Sequence, residues 1–219
     1  MVRSLAPWLW LIECGTGGKA LDASEEATGD LAASLMGHFA EVHALRTAAP
    51  VLDSVRASNE REGWAPASLT LGTVRSASWP AGTFDCIALH DALARRALVG
   101  PDLLEELRHL HRLLRRDGWL AVASPNPRPI ARRRGPARVL SRGQLTALLR
   151  RAQFRDVHCW LAAPTLERPL TLLPDVRSAI RAYEASDAMR GSTSPIRRMI
   201  AGFGPVSLLY PAYVLLARA

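Results

Sequence analysis

Residues 19–46 read KALDASEEATGDLAASLMGHFAEVHALR and carry the pattern from which the fold can be predicted. Short apolar runs at 19–24 and 41–46 are each typical of a buried strand. Between them, Leu31, Leu35 and Phe39 recur at a spacing that places all three side chains on one face of a helix. The stretch therefore predicts a strand, a helix over 28–39 and a second strand, which together form one βαβ unit of a parallel sheet.

The same alternation of apolar runs and helical patterns continues along the chain. Ser141 and Gln144 have the spacing of a capping box, which marks the start of a helix. The further predicted elements are, in order, helix 49–62, strand 68–74, strand 84–90, helix 101–116, strand 119–124, helix 141–154, strand 154–163 and strand 210–219. This order predicts an α/β fold of three layers, with a doubly wound, mainly parallel sheet of seven strands and a helical insertion before the last strand.

Length and composition fit one domain of this kind. The chain has 219 residues, of which 48% are hydrophobic and 22% charged, and this balance excludes a disordered protein. We assign residues 1–17 to an N-terminal helix or linker and residues 18–219 to a single domain in which 164–209 form a lid-like insertion. We expect the protein to be cytoplasmic.

The formal net charge of +8 raises the question of a nucleic-acid partner. Among the 28 basic residues only Lys19 is a lysine, and such a bias reflects genome composition more often than a partner. We therefore expect a solvated basic surface and no nucleic-acid substrate. The widely spaced Cys14, Cys86 and Cys159 do not have the spacing of zinc ligands, so no metal site is predicted.

Residues 199–217 contain no charged side chain over 19 positions, about the length of a membrane-spanning helix. Gly202, Gly204, Pro205 and Pro211 interrupt this run, and such residues break a helix. We predict a loop that leads into a final buried strand. Peripheral contact of the apolar run with a membrane remains an open alternative.

Five segments, met in this order, give the chain a resemblance to the class I S-adenosylmethionine-dependent methyltransferases, particularly those that act on small molecules. The segments are ALDASEEATGDLAASL (20–35), AEVHALRTAAPVLDSVRASN (40–59), WPAGTFDCIALHDAL (79–93), LLEELRHLHRLLRRDGWLAVASPNP (103–127) and LTALLRRAQFRDVHCW (145–160). The resemblance implies that S-adenosylmethionine lies across the carboxyl ends of the strands. It says less about activity, because a fold does not fix a function.

The resemblance also implies which positions face the cofactor and the substrate. The loop after the first strand contacts the methionine and ribose, an acid at the end of the second strand binds the ribose hydroxyls, and the third strand leads to the adenine. His90 and Asp91 follow the fourth strand, where substrate and cofactor meet, and His90 is a candidate general base or else a hydrogen-bonded residue of the strand end. The implied cofactor-binding positions are Asp22, Ser24, Thr28, Gly29, Arg46, Thr73, Val74 and His90.

The chain departs from the family pattern at most of these positions. The family motif resembles D-x-G-x-G-x-G, whereas residues 22–29 read DASEEATG and keep only Gly29 of the glycines. Glu25 and Glu26 stand where small residues admit the cofactor, and Arg46 stands where the ribose-binding acid is expected. An arginine there removes a hydrogen-bond acceptor and repels the sulfonium.

Residues 13–18, ECGTGG, also resemble the glycine motif and follow the apolar LWLI. As the cofactor loop they would lie too far from the end of the second strand and would leave residues 20–35 unexplained. The other interpretation is a glycine-rich linker that leads into the first strand.

Two functions follow from these observations. The first is methyl transfer from S-adenosylmethionine to a small molecule, with a hydrophobic one favoured by the apolar residues near the C-terminus. The second is a catalytically degenerate, methyltransferase-like scaffold or binding subunit with a protein partner. A basic membrane-edge or nucleic-acid-binding module is a third reading, although the Pro-Pro-aromatic motif of the base-modifying enzymes is missing at residues 90–93, which read HDAL.

Overall fold

The protein was analysed as a computed structural model of the 219-residue chain. The structure describes residues 6–12, 17–25, 28–63, 68–90, 101–125, 140–163, 169–185, 210 and 212–219. Eight strands and five α-helices are described in these ranges, after a 3₁₀ turn at Pro7–Leu11. They are β1 Lys19–Asp22, α1 Asp30–Met36, β2 Glu41–Arg46, α2 Ala49–Glu62, β3 Ser68–Leu71, β4 Phe84–His90, α3 Pro101–Leu113, β5 Leu114–Pro125, α4 Arg142–Arg151, β6 Arg155–Ala163, β7 Thr171–Pro174, α5 Arg177–Ala185 and β8 Ala212–Arg218.

All eight strands form one sheet in the order β3-β2-β1-β4-β5-β8-β6-β7. Strands β1 to β5 pair in parallel, whereas β8 runs antiparallel between β5 and β6, and β7 pairs antiparallel with β6. Chain order reverses direction across the sheet between β1 and β4, so the carboxyl ends of these strands border the crevice in which ligands of such sheets bind. The α/β fold class with a doubly wound, mainly parallel sheet is confirmed.

The predicted count of seven strands is wrong by one. The additional strand is β7, which lies within the segment 164–209 that was predicted to be a helical insertion. Its Thr-Leu-Leu sequence suits an extended backbone, and Pro174 is tolerated because β7 is the edge strand of the sheet. The insertion also contains the helix α5, as predicted, and its residues 186–209 lie outside the described part of the chain.

The prediction that one helix covers residues 101–116 is wrong at its end. Helix α3 ends at Leu113, and Leu114 already pairs with Phe84 as the first residue of β5. Asp117 has a φ of 63°, a left-handed conformation that a helix cannot contain. The next residue, Gly118, has no space for a side chain, because a Cβ there would lie 2.9 Å from the carbonyl oxygen of Arg115. The predicted boundaries of β2, α2 and β4 agree with the structure, and the others differ by a few residues.

The core has two parts, one on each face of the sheet. On one face the leucines of α3 and α4 and Ile180 of α5 pack against the sheet. On the other face the 3₁₀ turn and α1 pack against small residues such as Ala20, Ala88 and Ala121, which allow a close approach. Strand β4 is buried on both faces, so its carboxyl end is held in place from both sides.

Residues 6–12 of the N-terminal segment contribute to this core through a 3₁₀ turn. Trp8 and Leu9 of the 3₁₀ turn are each 1% exposed. The glycine-rich residues that follow lead through Gly18 into the amino end of β1, the end opposite to the one where a cofactor loop belongs. The structure therefore favours the linker interpretation of residues 13–18, of which 13–16 lie outside the described ranges.

The C-terminal apolar run ends in β8, and all but the last residue of this strand are buried. A strand is thus confirmed for residues 212–217, while residues 199–209 are outside the described ranges. Among the described residues no helix is long and apolar enough to cross a membrane.

The capping box predicted for α4 is present. The Ser141 hydroxyl accepts from the Gln144 backbone N–H, and the Gln144 side chain accepts from the Ser141 N–H. We expect Ser141→Ala to lower the free energy of unfolding by about 1 kcal/mol in urea denaturation, because it removes this cap. Ser54→Ala on the exposed face of α2, where the hydroxyl only bonds back to Pro50 O, is the control and should change it by less than about 0.5 kcal/mol.

Candidate functional site

The carboxyl ends of β1, β2 and β4 place three of the predicted site residues on the same edge of the sheet. Asp22 is the last residue of β1, Arg46 is the last of β2, and His90 is the last of β4. Asp22 lies in register with Ala44 and Ala88 of the neighbouring strands. Asp22 therefore sits at the centre of the edge, with Arg46 on one side and His90 on the other.

Asp22 and Arg46 form an ion pair in which both side chains are 0% exposed. Arg46 Nη2 donates to Asp22 Oδ2 at 2.7 Å. Arg46 Nη1 donates to two backbone carbonyls, that of Leu45 at 2.9 Å and that of Asp22 at 3.3 Å. The guanidinium thus folds back over the ends of the strands and does not project into the crevice.

Both oxygens of the Asp22 carboxylate are used within the protein. While Oδ2 accepts from Arg46, Oδ1 accepts from the Ser24 backbone N–H at 2.9 Å. A buried charge is tolerated only when it is paired and hydrogen-bonded. Asp22 can therefore be buried only because Arg46 pairs with it, and the same holds for Arg46 with Asp22.

A second contact joins the loop after β1 to the loop after β2. The Thr47 hydroxyl donates to Glu25 Oε2 at 2.9 Å. Glu25 was predicted to stand where the cofactor needs space, and the structure shows that its side chain reaches across to the start of α2. The two loops that border the predicted cofactor site are thus held together by Asp22–Arg46 and by Glu25–Thr47. Glu26 lies outside the described residues.

Gly29 has a structural role that its position explains. It precedes α1 with a φ of 73°, and a Cβ there would lie 3.1 Å from Asn59 Oδ1 and 3.2 Å from Val55 Cγ1. Glycine is needed because both the backbone angle and the close approach of α2 exclude a side chain. Thr28, also predicted to contact the cofactor, is exposed beside it.

Two buried polar side chains near this loop have no hydrogen-bond partner among the described residues. They are the Ser24 hydroxyl, on a residue that is 0% exposed, and the side-chain amide of Asn59, on a residue that is 3% exposed. Ser24 was a predicted site residue, but Asn59 was not. Its position within the pattern of α2 gave no signal, because only the folded chain brings it against Gly29.

Thr73 and Val74, predicted on the adenine side, have different surroundings. Thr73 is exposed, and its hydroxyl and backbone N–H bond to Ser76 within one tight turn. Val74 is 1% exposed and belongs to the core. Thr73 alone presents a surface at this edge, next to Gly72, whose N–H donates to the Arg46 carbonyl.

His90 is partly buried at the end of β4, opposite Ala123 of β5. Its side chain or backbone makes a further interaction within the protein. Asp91, the second predicted catalytic residue, lies outside the described ranges. The catalytic role of either residue thus remains a prediction.

The Asp22–Arg46 pair can be measured by a double-mutant cycle. We expect Asp22→Asn and Arg46→Met each to lower the free energy of unfolding by about 3–5 kcal/mol, because each leaves the other charge buried alone. The double variant should lose clearly less than the sum of the two, as measured by urea denaturation.

The exposed pair Asp53–Arg56 on α2 is the matched control, with side chains that are 66% and 52% exposed. The same cycle there should give a coupling below about 1 kcal/mol. Additive effects of the two substitutions at Asp22 and Arg46 would contradict a direct ion pair.

Comparison with known proteins agrees with the fold. The family model for a methyltransferase domain matches residues 26–122, a segment that includes Arg46, Thr73 and His90. No protein with a curated description matches the chain at a significant level. Many solved structures do match it.

Three of these structures illustrate the similarity. The YcgJ protein from Bacillus subtilis is 16% identical, with a TM-score of 0.62, over 98% of this chain and 97% of its own. A phosphoethanolamine N-methyltransferase from Haemonchus contortus, solved with S-adenosylhomocysteine, is 13% identical, with a TM-score of 0.64, over 99% of this chain and 52% of its own. The cyclase SpnF is 18% identical, with a TM-score of 0.59, over 93% of this chain and 74% of its own. At these identities the structures establish a shared fold.

Proposed function

Because the chain is recognised as a member of the class I S-adenosylmethionine-dependent methyltransferase family, we propose that it is a methyltransferase-like pseudoenzyme that does not bind the cofactor in the usual way and serves as a scaffold or binding subunit. The observation that carries this proposal is the buried ion pair between Asp22 and Arg46. It occupies the position at which the family resemblance implies a carboxylate that accepts from the ribose hydroxyls.

The residues present at this corner do not fit S-adenosylmethionine. A guanidinium offers only hydrogen-bond donors, so Arg46 cannot replace an acceptor carboxylate. Asp22 cannot replace it either in this arrangement, because its carboxylate is 0% exposed and covered by its ion pair with Arg46. Separation of such a pair costs about 3–5 kcal/mol, which corresponds to a loss of about a hundredfold or more in affinity.

Methyl transfer to a small, hydrophobic molecule is the second candidate function. It is favoured by the strand order of the fold and by the position of His90 at the carboxyl end of β4. S-adenosylmethionine would supply the methyl group, and His90 would accept a proton from a nucleophile that carries one. The cyclase among the similar structures illustrates that this fold is also found in proteins named for another reaction.

Calorimetric titration with S-adenosylmethionine and S-adenosylhomocysteine separates the two functions. The pseudoenzyme proposal predicts no saturable heat up to millimolar cofactor, because the ribose would meet the closed ion pair. A dissociation constant in the micromolar range for the unaltered protein would contradict it and favour the enzyme.

The Arg46→Asp variant tests whether Arg46 itself is responsible. We expect it to gain binding that becomes measurable at millimolar S-adenosylhomocysteine, because it supplies the missing acceptor, although the nearby Asp22 carboxylate lowers its stability. The Arg56→Asp variant carries the same charge change on the exposed face of α2 and should gain no binding. Thermal unfolding of both variants establishes that they are folded at the temperature used.

A further inference from the structure

A pocket lies at the amino ends of the parallel strands, on the edge of the sheet opposite Asp22 and Arg46. It has a volume of about 610 Å³ and lies among the residues before β4, the end of α3, the start of β5 and the start of β6. Its charged lining side chains are Arg112, Arg115, Arg116 and Arg155, and Ala219 also lines it, with its carbonyl oxygen accepting from Arg155 Nη2 at 2.9 Å. We propose that this amino-end pocket is a binding site for a small molecule that carries two or more phosphoryl groups.

The charge of the amino-end pocket is only partly compensated. Arg115 forms an ion pair with Asp85, and Arg155 lies 3.7 Å from the Asp117 carboxylate. These two arginines can be regarded as balanced. No carboxylate within the part of the chain that the structure describes forms an ion pair with either of the other two.

Arg112 and Arg116 carry the uncompensated charge. Arg112 Nη2 donates to His109 Nδ1 at 2.6 Å, and this partner is neutral because burial, followed by the charge of Arg112, lowers the pKa of His109. Arg116 is exposed, and its guanidinium has no partner among the described side chains. Two positive charges in one pocket therefore remain available to a ligand.

The walls of the pocket are fixed by the fold. The Gly82 N–H donates to the carbonyl oxygen of Arg112 at 3.0 Å, which attaches the loop before β4 to the end of α3. Leu114 is buried at the floor. The ring of His111 packs edge-on against Phe154, with 5.0 Å between their centroids. Burial and the charge of Arg155 lower the pKa of His111, so its ring adds an uncharged aromatic surface at neutral pH.

These properties together favour a small polyphosphate ligand. Guanidinium groups bind phosphoryl oxygens through paired, charge-assisted hydrogen bonds. Two uncompensated arginines call for at least two anionic groups. The volume is within the range of small-molecule pockets, and the His111 and Leu114 surfaces can contact a ring attached to the phosphates.

The test is calorimetric titration of the full chain in about 0.15 M NaCl with inorganic phosphate, sodium tripolyphosphate and adenosine triphosphate. We expect saturable binding of the two polyphosphates and at least about tenfold weaker binding of inorganic phosphate, since a single phosphate forms fewer paired contacts. Equal affinities for tripolyphosphate and adenosine triphosphate would identify the phosphate chain as the ligand, whereas tighter binding of adenosine triphosphate would add a contact with the base. Both results support the site.

The Arg112→Gln/Arg116→Gln double variant should bind tripolyphosphate at least about tenfold more weakly, and the shift of its His111 ring resonances should need at least about ten times more tripolyphosphate than in the unaltered protein. Arg108→Gln is the matched control, because Arg108 is on the same helix, its side chain is 51% exposed, and it pairs with Glu105. The proposal would be overturned by an equal loss in Arg108→Gln or by no saturable binding. It would also be overturned by competition from single-stranded oligonucleotides that strengthens with their length, which would identify a nucleic-acid surface.

Discussion

The contact between Asp22 and Arg46 is the constraint on which the rest of this edge of the sheet depends. It joins the carboxyl ends of two neighbouring central strands, and both charges are removed from water. Neither charge can be buried without the other, so the pair fixes where β1 and β2 end and how the following loops begin. Two further contacts hold the neighbouring loops and helices together. Thr47 donates to Glu25 between the loops after β1 and β2, and Gly29 at the start of α1 lies close to Asn59 of α2.

The two edges of the sheet are consequently different in charge. At the carboxyl edge, Arg46 is the only cationic residue at the described ends of β1 and β2. Its charge is neutralised by Asp22. At the amino edge Arg112 and Arg116 face a pocket without a carboxylate partner. The amino-end pocket is therefore one place where the fold leaves positive charge without a carboxylate partner, and it is remote from the position implied by the family resemblance.

The sequence predicted the fold class, the helix α2 and the strand β4, because leucine spacing and apolar runs are local signals. It also predicted that Arg46 would stand at the ribose position. It could not predict that Asp22 would pair with Arg46, since that contact requires the register of two strands 24 positions apart in the chain. Strand β7 was missed because it lies within the segment 164–209, which was predicted to be a helical insertion, and Asn59 was missed because its burial depends on Gly29 from another element.

The most direct test of this account is the side-chain NMR spectrum of Arg46 in the full chain, with and without S-adenosylhomocysteine. A guanidinium held by Asp22 and by two carbonyls should give separate, slowly exchanging Nη–H resonances that disappear in Asp22→Asn and do not change at millimolar S-adenosylhomocysteine. Averaged, rapidly exchanging resonances, or resonances that shift as S-adenosylhomocysteine is added, would show that the pair is open to the cofactor and would contradict the account.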